Sequence, residues 1–551
     1  MTPRAPQVRA TPISLLRAGV LAASVVAASW LAASPAAAKS VLFEGGRWFD
    51  GKEFVPRAVL VTDGTIRERQ GNETPRGLTV VDLGGLWVVP PLADAHTHAT
   101  ADPKEPAADL ARFVRAGIFF AKNPNSTWGG LTRGRNAVAA QQPAALEALW
   151  SGSGLTSPGG HPAQIYGPHL PSGSGPDGWV EVASAADLDQ AFSRIDKEKP
   201  DFVKVYLEGS EEHARRKDDA AFAGRRGLDP ALLPEIVSRA HRGGRPVSAH
   251  VRTAADFRAA VAASVDEINH LPLEAITDED ARACAKRGIR VVTTVLSHRS
   301  TLGIDDPNSI YRVSLRRLHD AGAPLALGTD NMRMSVVDEL RAVAGLGVFT
   351  SAELVVLATT ESIRAVMEGK GKPPPNAGTL RVGEPATFLV LKRDPIAYPA
   401  AFGEIANRFV RGEPIPEPDV PEEKPTLADE LVQIAMHDGV DAVVATYREW
   451  RRDRPDDFDY GEPQLNALGY ALLEHGRTAD AVTILELNAE QFPRSPNAWD
   501  SLAEAQLANG DRVGAAQSSR RVLQFLPDAK GLSPELRAQL AKSADERSAI
   551  D

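Results

Sequence analysis

The run Val88-Val89-Pro90-Pro91-Leu92-Ala93-Asp94-Ala95-His96-Thr97-His98 begins as an apolar strand and ends in two histidines two positions apart. Side chains two apart on a strand share a face, so both imidazoles can reach one point beyond its end. Downstream, Lys204, His250, His270 and Asp330 each belong to an apolar, strand-like run: Phe202-Val-Lys-Val-Tyr206, Val247-Ser-Ala-His250, Glu267-Ile-Asn-His270 and Leu325-Ala-Leu-Gly-Thr-Asp330. Taken singly, each of these residues also reads as a core histidine, a surface lysine or a helix cap. As an ordered set of six they point to one site.

Between Val88 and about Gly369, strand-like runs alternate with helical stretches such as 231–242 and 254–263. Such alternation predicts parallel βα units, and the length suits a (β/α)8 barrel, an α/β fold. Periodicity alone leaves a doubly wound open sheet as the alternative. In the barrel reading, the six residues gather at the rim formed by the C-terminal strand ends.

Residues 39–90 alternate β runs with Asp50-Gly51, Asp63-Gly64 and Gly84-Gly85, which read as hairpin signals of a small antiparallel sheet. Residues 371–415 return to this pattern, with Ala386-Thr-Phe-Leu-Val-Leu391 and Phe409-Val410. The two segments are expected to form a small β-sandwich flanking the catalytic segment 91–370. Residues 416–426, rich in proline and acid, read as a linker. Beyond it, Leu468, Gly476, Ala481 and Pro493 recur as Leu502, Gly510, Ala515 and Pro527. That spacing is the tetratricopeptide period of paired helices, so 427–551 is read as a helical repeat domain. Such a surface could hold a protein partner, pack on the barrel or join copies of the chain.

Arg4, Arg9 and Arg17, an Ala-rich apolar run and Ala36-Ala37-Ala38 make residues 1–38 look like a cleaved signal peptide, which implies a periplasmic or secreted protein with no membrane anchor after cleavage. Removing them takes three arginines and no acid, so the net charge moves from −10 to −13. That charge argues against nucleic acid as a partner. Cys284 is the only cysteine, so no intramolecular disulfide forms, and its helical context reads as buried filler.

Together, Pro91-x-x-Asp94-x-His96-x-His98, Phe202-Val-Lys204, Ser248-Ala-His250, Asn269-His270 and Gly328-Thr-Asp330 resemble the amidohydrolase superfamily of metal-dependent hydrolases, its imidazolonepropionase- and dipeptidase-like branch in particular, over residues 40–415. The chain departs at Pro91, where the family's turn usually has Gly, and at Thr387, where an acid is common. The resemblance implies an exported hydrolase that carries two divalent ions and cleaves a C–N bond in an amide, cyclic amide or dipeptide-like small molecule. A lactone or phosphotriester is the alternative substrate. It implies that His96, His98 and Asp330 hold one ion and that His250 and His270 hold the other. Lys204 would bridge them as an N6-carboxylated lysine, since an ammonium has no lone pair to give. This donor set suits zinc, and manganese, iron or cobalt next. Asp330 would be the catalytic acid–base group. His161, in Gly154-Leu-Thr-Ser-Pro-Gly-Gly-His161, together with Tyr206 and His298, is a candidate for substrate binding. Asp94 is expected to support the histidine segment by hydrogen bonding. A reading of another class makes the chain an interaction protein, with the repeats recruiting a partner and the barrel as scaffold.

Overall fold

A computed structural model describes residues 39–549, except 69–77, 101–105, 142–144, 164–176, 220, 221, 223, 225, 299–308, 331–335, 421–426, 438, 456, 475–476, 531 and 533. The expected signal segment 1–38, part of the linker, and the repeat glycine Gly476 lie outside the described residues, as does the side chain of His298.

Eight strands of the described residues run parallel in chain order: Leu92–Asp94, Ile118–Asn123, Glu147–Trp150, Val203–Tyr206, Val247–His250, Glu267–Asn269, Arg290–Val292 and Leu325–Ala326. The first three pair as one sheet and the last five belong to another. Backbone hydrogen bonds span the two gaps. Asp201 N donates to Trp150 O at 2.9 Å, and Ala95 N donates to Leu327 O at 2.9 Å. Two further short strands, Gly154–Thr156 and Trp179–Glu181, extend the second sheet past the Val203–Tyr206 strand.

Helices follow the strands because the sequence caps and patterns them. Thr253 and Asp256, and again Thr277 and Asp280, form reciprocal capping boxes at the starts of Ala254–Ala263 and Asp278–Arg287. In Leu233–Arg242, Leu233, Ile236, Val237 and Ala240 are buried on one stripe. The helix predicted from 231 opens as a 3₁₀ turn, Pro230–Leu232, before the α-helix begins. Strands and helices share one continuous apolar core, in which Cys284 is fully buried, as expected.

The strands flanking this segment join across the chain, as their patterns foretold. Trp87–Val89 pairs antiparallel with Phe388–Leu391, in register Leu389 to Val89. The resulting eight-stranded sheet is mixed, where a purely antiparallel one was expected. Ser40–Phe49 pairs in parallel with both Thr79–Asp82 and Trp87–Val89. The hairpin glycines predict local turns, but the parallel pairings are set over longer range. Its core is aromatic, with the Phe43 ring 5.1 Å from both Phe388 and Phe409.

After the linker, helices Glu462–Glu474 and Thr478–Gln491 are followed by Pro496–Ala508 and Arg512–Phe525, the same pair displaced by 34 residues. Leu468 and Leu502 are buried at equivalent positions, as are Ala481 and Ala515.

Candidate metal centre

His96 and His98 lie just past the end of the Leu92–Asp94 strand, not within it. The chain bends there, and hydrogen bonds to neighbours on both sides hold it: Thr97 N donates to Lys122 O at 3.0 Å, and Asp330 N donates to His96 O at 2.7 Å. The latter bond places the end of the eighth strand against the first. Gly328 permits the approach, since a Cβ there would stand 2.6 Å from that of His96. Asp94 anchors the same junction, accepting from the backbone N–H groups of His96 and Thr329.

The Asp330 carboxylate is the meeting point. Its Oδ1 lies 3.0 Å from His96 Nε2 and 3.1 Å from His98 Nε2, and its Oδ2 lies 3.7 Å from His270 Nδ1. Donor atoms of His96, His270 and Asp330 all fall within 4.8 Å of one another. The His250 ring packs edge-on to His270, with centroids 4.6 Å apart. Lys204 Nζ lies deeper, buried, and donates to Asn269 Oδ1. The six residues singled out in the sequence therefore occupy one region.

Backbone strain accompanies the side chains. His270, Asp330 and Thr294 all have positive φ, at 75°, 50° and 44°. Thr294 Oγ1 lies 2.7 Å from His270 Nδ1.

Electrostatics prepare this set to coordinate a cation. Burial pushes His96 down to about 4 and His270 well below its ordinary value, so both are neutral imidazoles at pH 7. Burial opposes the charge on Asp330, but the adjacent His270 and His96 hold its carboxyl well below the usual range. Burial pushes Lys204 down to about 7. Neutral imidazoles and a carboxylate are the forms in which these groups ligate metals. His96 Nδ1, buried and without a hydrogen-bond partner among the described residues, is a further donor atom. These residues fit a divalent ion.

Of the substrate-binding candidates, His161 and Tyr206 adjoin the histidines. The His161 ring stacks on His250 with centroids 4.6 Å apart and meets Tyr206 at 5.2 Å. Burial pushes His161 down to about 4. The His298 side chain lies outside the described residues, and its backbone ends a 3₁₀ turn, Leu296–His298.

Sequence reading gave no role to Lys122, Glu208, Ser248, Glu267 or Asn269, all buried beside the histidines. The available signal was polar residues two apart within apolar strands, as in Lys204-x-Tyr206, Ser248-x-His250 and Glu267-x-Asn269. Glu208 is a buried carboxylate beside His250. Its Oε1 lies 3.3 Å from Arg252 Nε and its Oε2 lies 3.6 Å from His250 Nε2.

No family model matches the chain. Over 265 residues it is 26% identical to the imidazolonepropionase of Pseudomonas paraeruginosa, covering 42% of this chain and 63% of that protein. Over 87 residues it is 38% identical to the dihydroorotase of a Geobacter species, covering 14% of this chain and 20% of that one. The chain thus spans less than two thirds of the length of either relative. Among solved structures, the ochratoxinase of A. niger superposes with a TM-score of 0.54 at 20% identity, covering 70% of this chain and 97% of that one. A Xaa-Pro dipeptidase superposes with a TM-score of 0.55 at 17% identity, covering 68% and 100%. A structure described simply as an amidohydrolase gives 0.53 at 22% identity, covering 69% and 100%. With its parallel strands, interleaved helices and rim of histidines, the chain has the amidohydrolase fold.

Proposed function

We propose that the chain is a metal-dependent hydrolase of carbon–nitrogen bonds, built on a closed (β/α)8 barrel with a tetratricopeptide-like C-terminal domain. The observation that carries this reading is the Asp330 carboxylate, in contact with His96, His98 and His270. His96, His98 and Asp330 would hold one divalent ion, zinc by preference, and His250 and His270 a second, with Lys204 bridging in its carboxylated form. Bound there, such ions supply a water acidified to near neutrality and a Lewis acid for the scissile carbonyl. The chain's own residues do the rest. Asp330 accepts a proton from the attacking water at a carboxylate oxygen and returns it to the leaving nitrogen. Half-buried His161 and buried Tyr206 line the approach beside His250 and orient the substrate. The two curated relatives are named for enzymes of cyclic C–N bonds and the Xaa-Pro dipeptidase for a linear one, which supports a small amide, cyclic amide or dipeptide as substrate. Residues 1–38 would direct export to the periplasm or beyond.

The test is metal content per chain together with turnover on panels of cyclic amides, dipeptides, lactones and phosphotriesters. The reading expects bound divalent metal, activity on an amide panel, and loss of that activity in Asp330→Asn. Absence of metal, or full activity in Asp330→Asn, overturns it. Turnover confined to lactones or phosphotriesters moves the same site to another bond.

A further inference from the structure

Behind the histidine rim lies a layer of buried polar groups where barrels usually carry branched aliphatics. Lys204, Ser248 and Glu267 stand side by side in register on three neighbouring strands. Asn269 shares the face of Glu267 two residues on. Lys122 joins from the second strand, its Nζ 2.8 Å from Glu267 Oε2. All five are buried.

Their hydrogen bonds run in one direction. Glu267 as a carboxylate only accepts. One oxygen is taken by Lys122, and the other accepts from Asn269 Nδ2 at 2.8 Å. That bond fixes the Asn269 amide, with its NH2 toward Glu267 and its oxygen toward Lys204, whose Nζ donates to it. The Ser248 hydroxyl lies 2.8 Å from Glu267 Oε1 and 2.7 Å from Asn269 Oδ1, and its one hydrogen serves either.

We propose that Asn269 is the positioning residue for carboxylation of Lys204, with Glu267 and Lys122 fixing its amide from behind. This rests on the reading of Lys204 as a carboxylated bridge. In that reaction the Lys204 amine adds its lone pair to the carbon of CO2. One C–O π pair moves onto oxygen, an N–C bond forms, and one N–H proton leaves to water, giving R–NH–COO⁻. The product keeps a single N–H. An acceptor oxygen at Asn269 matches that N–H and repels the two new carboxylate oxygens, so only one orientation of the planar group is favourable. Those oxygens are turned away from Asn269.

The experiment equilibrates the purified chain with ¹³C-bicarbonate and divalent zinc, then reads the carbamate carbon by ¹³C NMR and the bound metal by elemental analysis. Wild type should carry the label and Lys204→Ala should not. Asn269→Ala should lose label and bound metal by about 10-fold or more, as outer-shell partners of metal ligands do. Ser248→Ala should retain both. The double variant Glu267→Gln with Asn269→Asp conserves charge and keeps an acceptor oxygen on Lys204, so it should restore both. It also decides the matter if circular dichroism shows Asn269→Ala to be unfolded. Wild-type labelling in Asn269→Ala, or no label in a folded double variant, overturns the proposal. An unlabelled wild type is a different failure, because it removes the carboxylated bridge itself.

Discussion

Thr329 donates to Asp94 twice, from its backbone N–H at 3.0 Å and from its hydroxyl at 2.8 Å. The pair ties the first strand of the parallel series to the last, directly beneath His96 and Asp330. Asp94→Ala would leave buried donors of Thr329 and His96 unsatisfied, each costing about 1–3 kcal/mol. A destabilisation of about 2–4 kcal/mol is expected in urea unfolding, with weaker metal retention because the His96 segment loses its brace. Unchanged stability would show that the junction closes without this contact.

Gly328 sits in the same junction. An added Cβ would stand 2.6 Å from both the Cβ of His96 and a methyl of Val292. Gly328→Ala must displace His96, so metal content and turnover should fall while the flanking sheet stays folded. Gly154→Ala acts on the other side of the site, with its Cβ 2.5 Å from the Tyr206 ring and 3.0 Å from Lys204 Cγ. A glycine in the Gly-Gly-His segment and one in Gly-Thr-Asp thus have a shared explanation, close approach of backbone to functional side chains. Wild-type kinetics in both variants would refute it.

Lys122 and Glu267 form a buried ion pair at 2.8 Å. The lysine beside it holds Glu267 below the usual carboxylate range against its burial. Removing one partner strands the other, so Lys122→Met should destabilise by about 3–5 kcal/mol. Lys122→Met with Glu267→Gln should recover much of that loss in a double-mutant cycle. Simple additivity of the two single changes would argue against coupling.

Glu339 accepts from the Thr293 hydroxyl at 2.6 Å and from the backbone N–H groups of Val295 and Leu296 at 2.7 and 2.8 Å. Burial nevertheless pushes its carboxyl up to about 7 from 4.5. The folded protein therefore binds this proton more tightly than the unfolded chain. Its contribution to stability is full below pH 4.5 and is lost as pH rises through about 7. Relative to Glu339→Gln, wild type should lose on the order of 3 kcal/mol between those limits. A stability difference that does not vary with pH would contradict the shift.

The rim was legible because its ligand-competent residues interrupt apolar strands, and because alternation over so long a span implies parallel βα units. Lys122 was not, since a lysine in Phe119-Phe120-Ala121-Lys122-Asn123 has no local partner and its carboxylate lies 145 residues on. The layer beneath the histidines depends on register between strands, which no single stretch encodes. His96 and His98 were expected at the end of one strand, but the strand stops at Asp94 and the chain bends at both histidines. Backbone hydrogen bonds with Lys122 and Asp330 hold the segment instead.

The C-terminal helices make the last prediction. Their apolar core, with Leu431, Tyr447, Leu468, Ile484 and Leu502, draws on no residue before Leu427 among the described residues. The end helices Arg512–Phe525 and Pro534–Ser548 close over a second cluster of Val522, Leu526, Leu540 and Ala544. The segment before them is tied to the barrel separately. Arg115 Nη1 donates to Val420 O at 2.5 Å, and Glu417 lies 3.4 Å from Arg115 and 3.5 Å from Arg408. A stop after residue 426 keeps those ties and cuts between two self-contained cores. The truncated chain should remain soluble, hold metal and turn over substrate within the scatter of the full chain, with one thermal unfolding transition lost. Aggregation or loss of metal would mean that the helices shield a barrel surface, and would make them part of the catalytic unit.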